Sequence, residues 1–190
     1  TLVNLDIGGG LGIRYKDETP LDPERFVAAI LPMGRETGLT LVVEPGRFLV
    51  GSAGVMLTTV LSRKHSGGKE LVLVDAGMND LVRPSHYQAY HEIVELETHN
   101  RVEGPVDVVG PVCETGDFLA RDRTLPGVVA GDGLAVLGTG AYGFVMSSTY
   151  NGRPRAAEVL VDGDRWAVVR ERETVESLYL GESAEPEWLK

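Results

Sequence analysis

The sequence predicts two structural parts, a short α/β segment followed by an all-β domain, with the boundary near residues 50 to 55. The early residues read as one strand entering a triple glycine, then an amphipathic helix, then a second apolar strand. Strand, helix and strand in succession are typical of a parallel α/β layer or barrel. After residue 54 the chain has many short apolar stretches separated by Gly and Pro, which indicates a β-sandwich or a small barrel.

The first strand is expected over residues 1–7, where apolar and polar side chains alternate up to the glycines. No initiator methionine precedes this stretch, and a natural N-terminus seldom begins inside a core strand. We therefore expect the chain to be a fragment, a cleavage product or one piece of a longer polypeptide.

A helix is expected over residues 22–37. Asp22 can accept a hydrogen bond from the first turn, and Gly38 suits the left-handed C-terminal cap. Pro32 is expected to kink or interrupt this helix, because proline has no N–H to donate. A second strand is expected over residues 39–43.

The second part is predicted to hold seven strands and one clear hairpin. The strands are expected over residues 55–63, 70–75, 92–98, 106–109, 134–138, 157–161 and 166–170. Asp-Gly-Asp at 162–164 is a strong hairpin signal between the last two strands.

Composition excludes several classes of function. Among 190 residues, 43% are hydrophobic and 24% charged, as in a globular domain, and the net charge of −10 argues against nucleic-acid binding. No apolar run approaches the roughly 20 residues that span a bilayer. No leader sequence is recognisable, so we expect a cytoplasmic protein without membrane contact. The single cysteine, Cys113, cannot form an internal disulfide.

The glycine stretch at 8–12 follows a strand, where backbone N–H groups can approach a phosphate closely. The dinucleotide pattern fails because Ile13 stands where its last glycine should be, and no Gly-Lys-Ser/Thr of a P-loop follows. A tight turn and a site for a phosphate outside a dinucleotide both remain open.

Glu44-Pro45-Gly46-Arg47 ends the second strand. Glu44 and Arg47 could form a surface ion pair of little energetic value. At the carboxyl end of a barrel strand they would instead face an active site, where Glu44 could bind a protonated ring nitrogen and Arg47 an anion.

Three further stretches carry candidate site residues. The loop 110–117 places the Cys113 thiol beside Glu114, and a thiol can act as a proton donor. Residues 75–87 contain Arg83 and Tyr87, and arginine suits two-point carboxylate recognition, although an ordinary loop is an equal alternative. Tyr142 stands among glycines at 138–143. His86 and His91 are interpreted as structural, since no third metal ligand is spaced with them.

Six stretches, taken in order, resemble the fold-type III pyridoxal-phosphate-dependent decarboxylases, and most closely the members that act on diaminopimelate. They are DIGGGLGI, VEPGRFLVG, DAGMNDLVRPSHYQAYH, GPVCETGD, GAYGFVMSSTYN and RPRAAEVLV. The resemblance covers essentially the whole chain. It implies that residues 1–53 are the last part of a cofactor-binding (β/α)8 barrel and that residues 54–190 are the C-terminal β-domain.

The resemblance also implies roles for individual residues. Cys113 resembles the catalytic proton donor of the family. The cofactor, pyridoxal 5'-phosphate, would be bound by Gly8, Gly9, Gly10, Glu44, Gly46, Arg47 and Tyr142. The amino-acid substrate would be bound by Arg47, Arg83, Tyr87, Glu114 and Tyr142. Relatives acting on ornithine typically place Asp after the cysteine, so Glu114 favours a substrate with an amino acid at each end.

The family is dimeric, which implies a homodimer in which Cys113 and Glu114 reach the partner's cofactor site. Family members carry the lysine that holds the cofactor well before the glycine loop, and none of Lys16, Lys64, Lys69 and Lys190 lies in a matching motif. We therefore expect a missing N-terminal barrel segment and no activity in this chain alone. An ornithine, arginine or carboxynorspermidine decarboxylase and a non-catalytic β-domain for binding or assembly remain the alternatives.

Overall fold

The computed structural model describes residues 2–189. Its first part is one strand–helix–strand unit. Strand β1 (Asn4–Asp6) pairs in parallel with β2 (Thr40–Val42), in the register Leu5 opposite Leu41, and helix α1 (Pro23–Thr37) connects them. The sequence predicted this parallel unit. Parallel neighbouring strands require a crossover connection, and α1 provides it.

Both ends of α1 are capped as expected. The Asp22 carboxylate accepts a hydrogen bond from the Arg25 N–H at 3.0 Å. Gly38 adopts a left-handed φ of 67° and its N–H donates to the Gly34 carbonyl at 2.9 Å. The helix continues through Pro32, so an interruption does not occur there. Proline removes only one hydrogen-bond donor from the helix. The turns on either side of Pro32 continue to the caps at Asp22 and Gly38.

A short helix and a single turn lead into the second part. Helix α2 (Gly46–Val50) begins directly after Glu44-Pro45, and a 3-10 turn (Gly51–Ala53) follows it. The long strand β3 begins at Val55. The residues of the Glu44–Arg47 motif therefore lie where the α/β unit passes into the sheet.

Six strands form a curled mixed sheet in the order β5-β8-β3-β4-β6-β7. Their bounds are β3 (Val55–Ser66), β4 (Lys69–Val74), β5 (Ile93–Glu95), β6 (Gly104–Val109), β7 (Phe118–Leu125) and β8 (Gly133–Leu137). Strands β4 and β6 are parallel, and the other neighbours are antiparallel. A short helix, α3 (Arg83–Tyr87), lies between β4 and β5 in the chain.

The predicted hairpin is confirmed. Strand β9 (Glu158–Asp162) pairs antiparallel with β10 (Arg165–Arg170), and Asp162 stands opposite Arg165 across the two-residue turn. Gly163 has a φ of 62°, which glycine adopts without the steric cost that a side chain would bring. A last 3-10 turn covers Glu176–Tyr179.

Three elements differ from the sequence-based expectation. Strand β7 was not predicted, because Arg121, Asp122 and Arg123 interrupt its apolar pattern. Helix α3 lies in a stretch expected to be a loop. Strand β5 covers only Ile93–Glu95 of the strand expected over residues 92–98.

The core lies in the six-stranded sheet, not in the α/β unit. Helix α1 and strand β2 contain no buried residue, whereas the central sheet strands bury branched aliphatic side chains. The largest fully buried side chains of these strands include Val60, Val72, Val74, Val108, Leu119, Leu134 and Val136, and Leu81 joins them from the segment after β4. No helix within residues 2–189 is long and apolar enough to cross a membrane.

Candidate active site

The glycine loop is tied by its backbone to Glu44. The Glu44 N–H donates to the Gly8 carbonyl at 2.8 Å, which continues the pairing of β1 with β2. Gly8 and Gly10 have left-handed φ values of 75° and 89°. A Cβ at Gly9 would lie 2.9 Å from the Glu44 carbonyl oxygen, whereas a Cβ at Gly8 or Gly10 would meet nothing within 4 Å. The loop is therefore open on one side and closed against Glu44 on the other.

Glu44 and Arg47 do not form the surface ion pair that was one interpretation of the motif. In the part of the chain that the structure describes, no ion pair joins them, and the exposed Glu44 side chain makes no hydrogen bond. Arg47 is half-buried in the first turn of α2. Its guanidinium carbon lies 5.3 Å from the centre of the Tyr142 ring, which is a cation–π contact between the two parts of the chain.

Close backbone approach brings Tyr142 to Arg47. A Cβ at Gly140 would lie 1.9 Å from the Val50 carbonyl oxygen, and a Cβ at Gly54 would lie 2.3 Å from the Gly140 Cα. Two hydrogen bonds connect these segments: Thr139 N–H to the Gly54 carbonyl at 2.9 Å, and Gly140 N–H to the Gly51 carbonyl at 3.1 Å. These contacts hold the loop 138–143 against the end of α2.

Tyr142 itself has an unusual backbone. Its φ is 60°, in the left-handed region that large residues seldom occupy, and its side chain is 41% exposed. Such conformations persist where surrounding contacts impose them, and they cluster at functional sites.

Arg83, the first residue of α3, also contacts the Tyr142 ring. Its side chain is buried, and its guanidinium carbon lies 5.8 Å from the Tyr142 ring centre and 4.8 Å from that of Tyr15. Its Nη1 lies 2.9 Å from Nε2 of the fully buried His91. Burial lowers the pKa of His91 below its ordinary value, and the Arg83 and Arg123 guanidiniums act in the same direction.

Tyr87 lies on α3 four residues after Arg83 but is 59% exposed, so the two side chains differ sharply in burial. Its ring makes an edge-to-face contact with His86, at 4.5 Å between centres. Within residues 2–189 no group of three His, Cys, Asp or Glu side chains is arranged to hold a metal ion.

Asp117 anchors the loop that carries Cys113 and Glu114, both of which are exposed. The buried Asp117 carboxylate accepts hydrogen bonds from the Val112 N–H at 2.6 Å and the Met78 N–H at 2.7 Å. A Cβ at Gly110 would lie 2.5 Å from this carboxylate, so the glycine provides the space that the carboxylate occupies. Asp117 thus joins the cysteine loop to the segment 75–80.

Arg153 holds the segment 75–80 through two hydrogen bonds. Its Nε donates to the buried Asn79 side-chain oxygen at 3.0 Å, and its Nη2 donates to the Asp75 carbonyl at 2.6 Å. Burial raises the pKa of Asp80, an effect that the Gly77 N–H and nearby Arg153 oppose. The cysteine loop therefore rests on a polar network and not on the aliphatic core alone.

The predicted site residues do not all lie in one group. Backbone contacts join the glycine loop to Glu44, Arg47 follows Glu44 three residues later in the chain, and cation–π contacts join Arg47 and Arg83 to Tyr142. These residues form the junction group. No hydrogen bond or cation–π contact within residues 2–189 connects Cys113 or Glu114 to that group. Sequence patterns assigned no role to Tyr15 or Asp117 and indicated a structural role for His91. Asp117 is the last residue of the Gly/Pro-bounded motif that contains Cys113. This position in the motif was the one feature of the sequence that could have pointed to a role for Asp117.

The fold and this cluster define a β-domain joined to the end of a parallel α/β layer, with glycine, arginine and tyrosine groups at their junction. A family model described as "Pyridoxal-dependent decarboxylase, C-terminal sheet domain" matches residues 16–140. The chain therefore belongs to this family of pyridoxal-dependent decarboxylases.

Relatives agree with this membership. The chain is 53% identical over 184 residues to the diaminopimelate decarboxylase of Pseudomonas aeruginosa and 49% identical over 185 residues to that of Vibrio cholerae. Each match covers 97% of this chain and 44% of the relative. The Helicobacter pylori diaminopimelate decarboxylase structure, complexed with L-lysine, is 40% identical with a TM-score of 0.88, over 94% of this chain and 44% of that one. The chain thus spans less than half the length of these relatives.

Replacing Gly140 by alanine tests how the junction is held. A Cβ there would overlap the Val50 carbonyl, so Gly140→Ala should destabilise the protein by about 3 kcal/mol. Thermal unfolding of the purified protein measures the loss. Gly104→Ala is the matched control, because a Cβ at Gly104 meets nothing within 4 Å and should leave stability unchanged or slightly raised. Equal melting temperatures for the two variants would contradict the close approach.

Proposed function

We propose that this chain is the C-terminal part of a pyridoxal-phosphate-dependent carboxy-lyase. Its reaction is the decarboxylation of meso-2,6-diaminopimelate to L-lysine and carbon dioxide, the last step of lysine biosynthesis, in the cytoplasm. The observation that carries the proposal is the placement of two guanidiniums, those of Arg47 and Arg83, within 5.3 and 5.8 Å of the Tyr142 ring centre at the junction. Family membership and the names of the relatives support the same reaction.

The residues at the junction fit the cofactor. A phosphate needs donors that a Cβ does not obstruct, and the open sides of Gly8 and Gly10 offer such space. The Gly8 N–H already donates to the Asp6 carboxylate at 2.7 Å, so Gly8 would contribute space and not a donor. Gly9, Gly46, Arg47 and Tyr142 would complete the contacts to the phosphate. When bound, pyridoxal phosphate supplies the electron sink for the electrons released as carbon dioxide leaves. The free Glu44 carboxylate would accept a hydrogen bond from the pyridine nitrogen and favour its protonated state.

The substrate has an amino acid at each end, and the cationic groups suit its carboxylates. Arg47 and Arg83, which both contact the Tyr142 ring, would each bind a carboxylate. Tyr87, exposed on the same short helix as Arg83, would contact the distal end of the substrate. Glu114 would bind an ammonium group of the substrate. Its side chain is longer than the Asp that relatives acting on ornithine typically carry at this position, which favours diaminopimelate as the substrate.

Cys113 is proposed to hold a proton at Sγ and to deliver it to the carbon that has lost its carboxylate. We propose a homodimer in which Cys113 and Glu114 serve the partner's site. Their exposure, and the absence of contacts from them to Arg47 or Tyr142 within residues 2–189, support this arrangement. Asp117 would keep the cysteine loop in position through its two backbone hydrogen bonds.

The domain boundary is proposed to lie between residues 53 and 54, with residues 1–53 as the last part of the barrel. The missing N-terminal segment would complete the barrel and supply the lysine that holds the cofactor. The exposed apolar side chains of α1, such as Val27 and Leu31, support a covering partner segment. This chain alone is therefore proposed to be inactive.

Turnover by the full-length polypeptide tests the reaction. We expect decarboxylation of meso-diaminopimelate, with ornithine, arginine and carboxynorspermidine as much poorer substrates. Cys113→Ala should lower kcat by about 10²- to 10⁴-fold, the usual contribution of a positioned acid, with little change in KM. Carbon dioxide release measures both. A preference for ornithine would favour the alternative substrates, and an unaffected Cys113→Ala variant without cofactor affinity would favour a non-catalytic β-domain.

Mixed dimers test the shared site. One full-length chain would carry Cys113→Ala, and its partner would carry alanine in place of the cofactor-binding lysine. In a two-fold dimer with shared sites, one of the two sites is then intact. Heterodimers purified through two different affinity tags should recover about half of the wild-type rate. Each homodimeric variant is the control, and a heterodimer as inactive as both would show that one subunit builds each site.

A further inference from the structure

His91 is the most deeply buried titratable group near the proposed site, with an exposed fraction of 0%. Both of its ring nitrogens have partners. Nε2 lies 2.9 Å from Nη1 of Arg83, and Nδ1 lies 2.9 Å from the Leu137 carbonyl oxygen. His91 therefore connects helix α3 with the last residue of strand β8, directly before the loop that carries Tyr142.

The two partners determine the tautomer of His91. A carbonyl oxygen only accepts, so Nδ1 carries the hydrogen, and a guanidinium only donates, so Nε2 accepts. His91 is thus a neutral acceptor for Arg83. Its lowered pKa agrees, because burial and the Arg83 and Arg123 guanidiniums disfavour its protonation. Arg123 also donates to the His91 carbonyl at 2.7 Å, and Tyr15 contacts the ring edge-on at 5.2 Å.

Arg83 differs from most buried arginines, which pair with a carboxylate. No carboxylate within residues 2–189 forms an ion pair with Arg83. Its hydrogen-bond partner is the neutral imidazole, and its guanidinium carbon lies 4.8 Å from the Tyr15 ring centre and 5.8 Å from that of Tyr142. These contacts fix the guanidinium in place without neutralising its charge.

We propose that His91 is a positioning residue that sets affinity for the substrate's distal carboxylate by holding Arg83 through a neutral acceptor. This inference rests on the proposed function, since it assigns Arg83 to that carboxylate. A carboxylate at position 91 would hold the guanidinium equally well but would compensate its charge. The anion bound by Arg83 must come from outside residues 2–189, and the substrate supplies one.

The test compares two substitutions of similar size in the full-length holoenzyme. His91→Gln retains an uncharged acceptor toward Arg83, whereas His91→Glu places a negative charge there. The probes are L-lysine, which keeps one carboxylate, and 1,5-diaminopentane, which is the same molecule without it. Calorimetric titration gives the Kd of each probe, and thermal unfolding with cofactor absorbance checks that each variant is folded and loaded.

We expect His91→Glu to weaken L-lysine binding by about tenfold or more, because the charge-assisted hydrogen bonds to its carboxylate are weakened. The Kd of 1,5-diaminopentane should remain within about twofold, and His91→Gln should bind both probes within about threefold of wild type. In turnover, the KM for diaminopimelate should rise in His91→Glu more than kcat falls.

Equal weakening of both probes, or unchanged L-lysine binding, in a folded His91→Glu variant would overturn the inference. Should His91→Glu fail to fold, His91→Asn replaces it. Asparagine retains a donor for the Leu137 carbonyl but does not reach Arg83, so it should weaken L-lysine selectively. A wild-type holoenzyme that neither binds L-lysine nor decarboxylates diaminopimelate would instead contradict the proposed function, whatever the variants do.

Discussion

The backbone contact between Gly54 and Gly140 is the constraint on which the proposed site depends. A Cβ on either glycine would meet backbone atoms at 2.3 Å or less, so no other residue permits this approach without displacing a segment. The two hydrogen bonds beside it hold the loop 138–143 against the end of α2. Because of this contact, Tyr142 of the sheet reaches Arg47 of the α/β unit. Residues that are nearly 100 positions apart in the chain thereby share one surface.

Electrostatics at the junction follow from which partners each cation has. Arg83 contacts aromatic faces and a neutral imidazole, and neither it nor Arg47 pairs with a carboxylate within residues 2–189. In a protein of net charge −10, these two unpaired guanidiniums place local positive charge at the junction. Attraction of an anionic ligand to the proposed site would therefore depend on these groups and not on long-range steering. The exposed Cys113–Glu114 loop has its own polar anchor in Asp117.

Local signals in the sequence predicted much of this architecture. The caps of α1, the parallel pair β1–β2 and the 162–164 hairpin each follow from residues that act on their immediate neighbours. Strand β7 could not be predicted in the same way, because its Arg121–Arg123 stretch breaks the apolar pattern while the residues around it are buried. Tyr15 was missed, and His91 was interpreted only as structural, for a different reason. Both residues matter because they contact Arg83 in the folded protein, and the spacing of residues along the chain does not predict such tertiary contacts. The domain boundary and the roles of the predicted site residues remain predictions.

A crystal structure of the full-length polypeptide with pyridoxal phosphate would show directly whether the junction forms the cofactor site. We expect the phosphate to lie between the Gly8–Gly10 backbone and Tyr142, with the pyridine nitrogen beside Glu44. A phosphate bound elsewhere, with no shared cavity between the glycine loop and the 138–143 loop, would contradict this expectation.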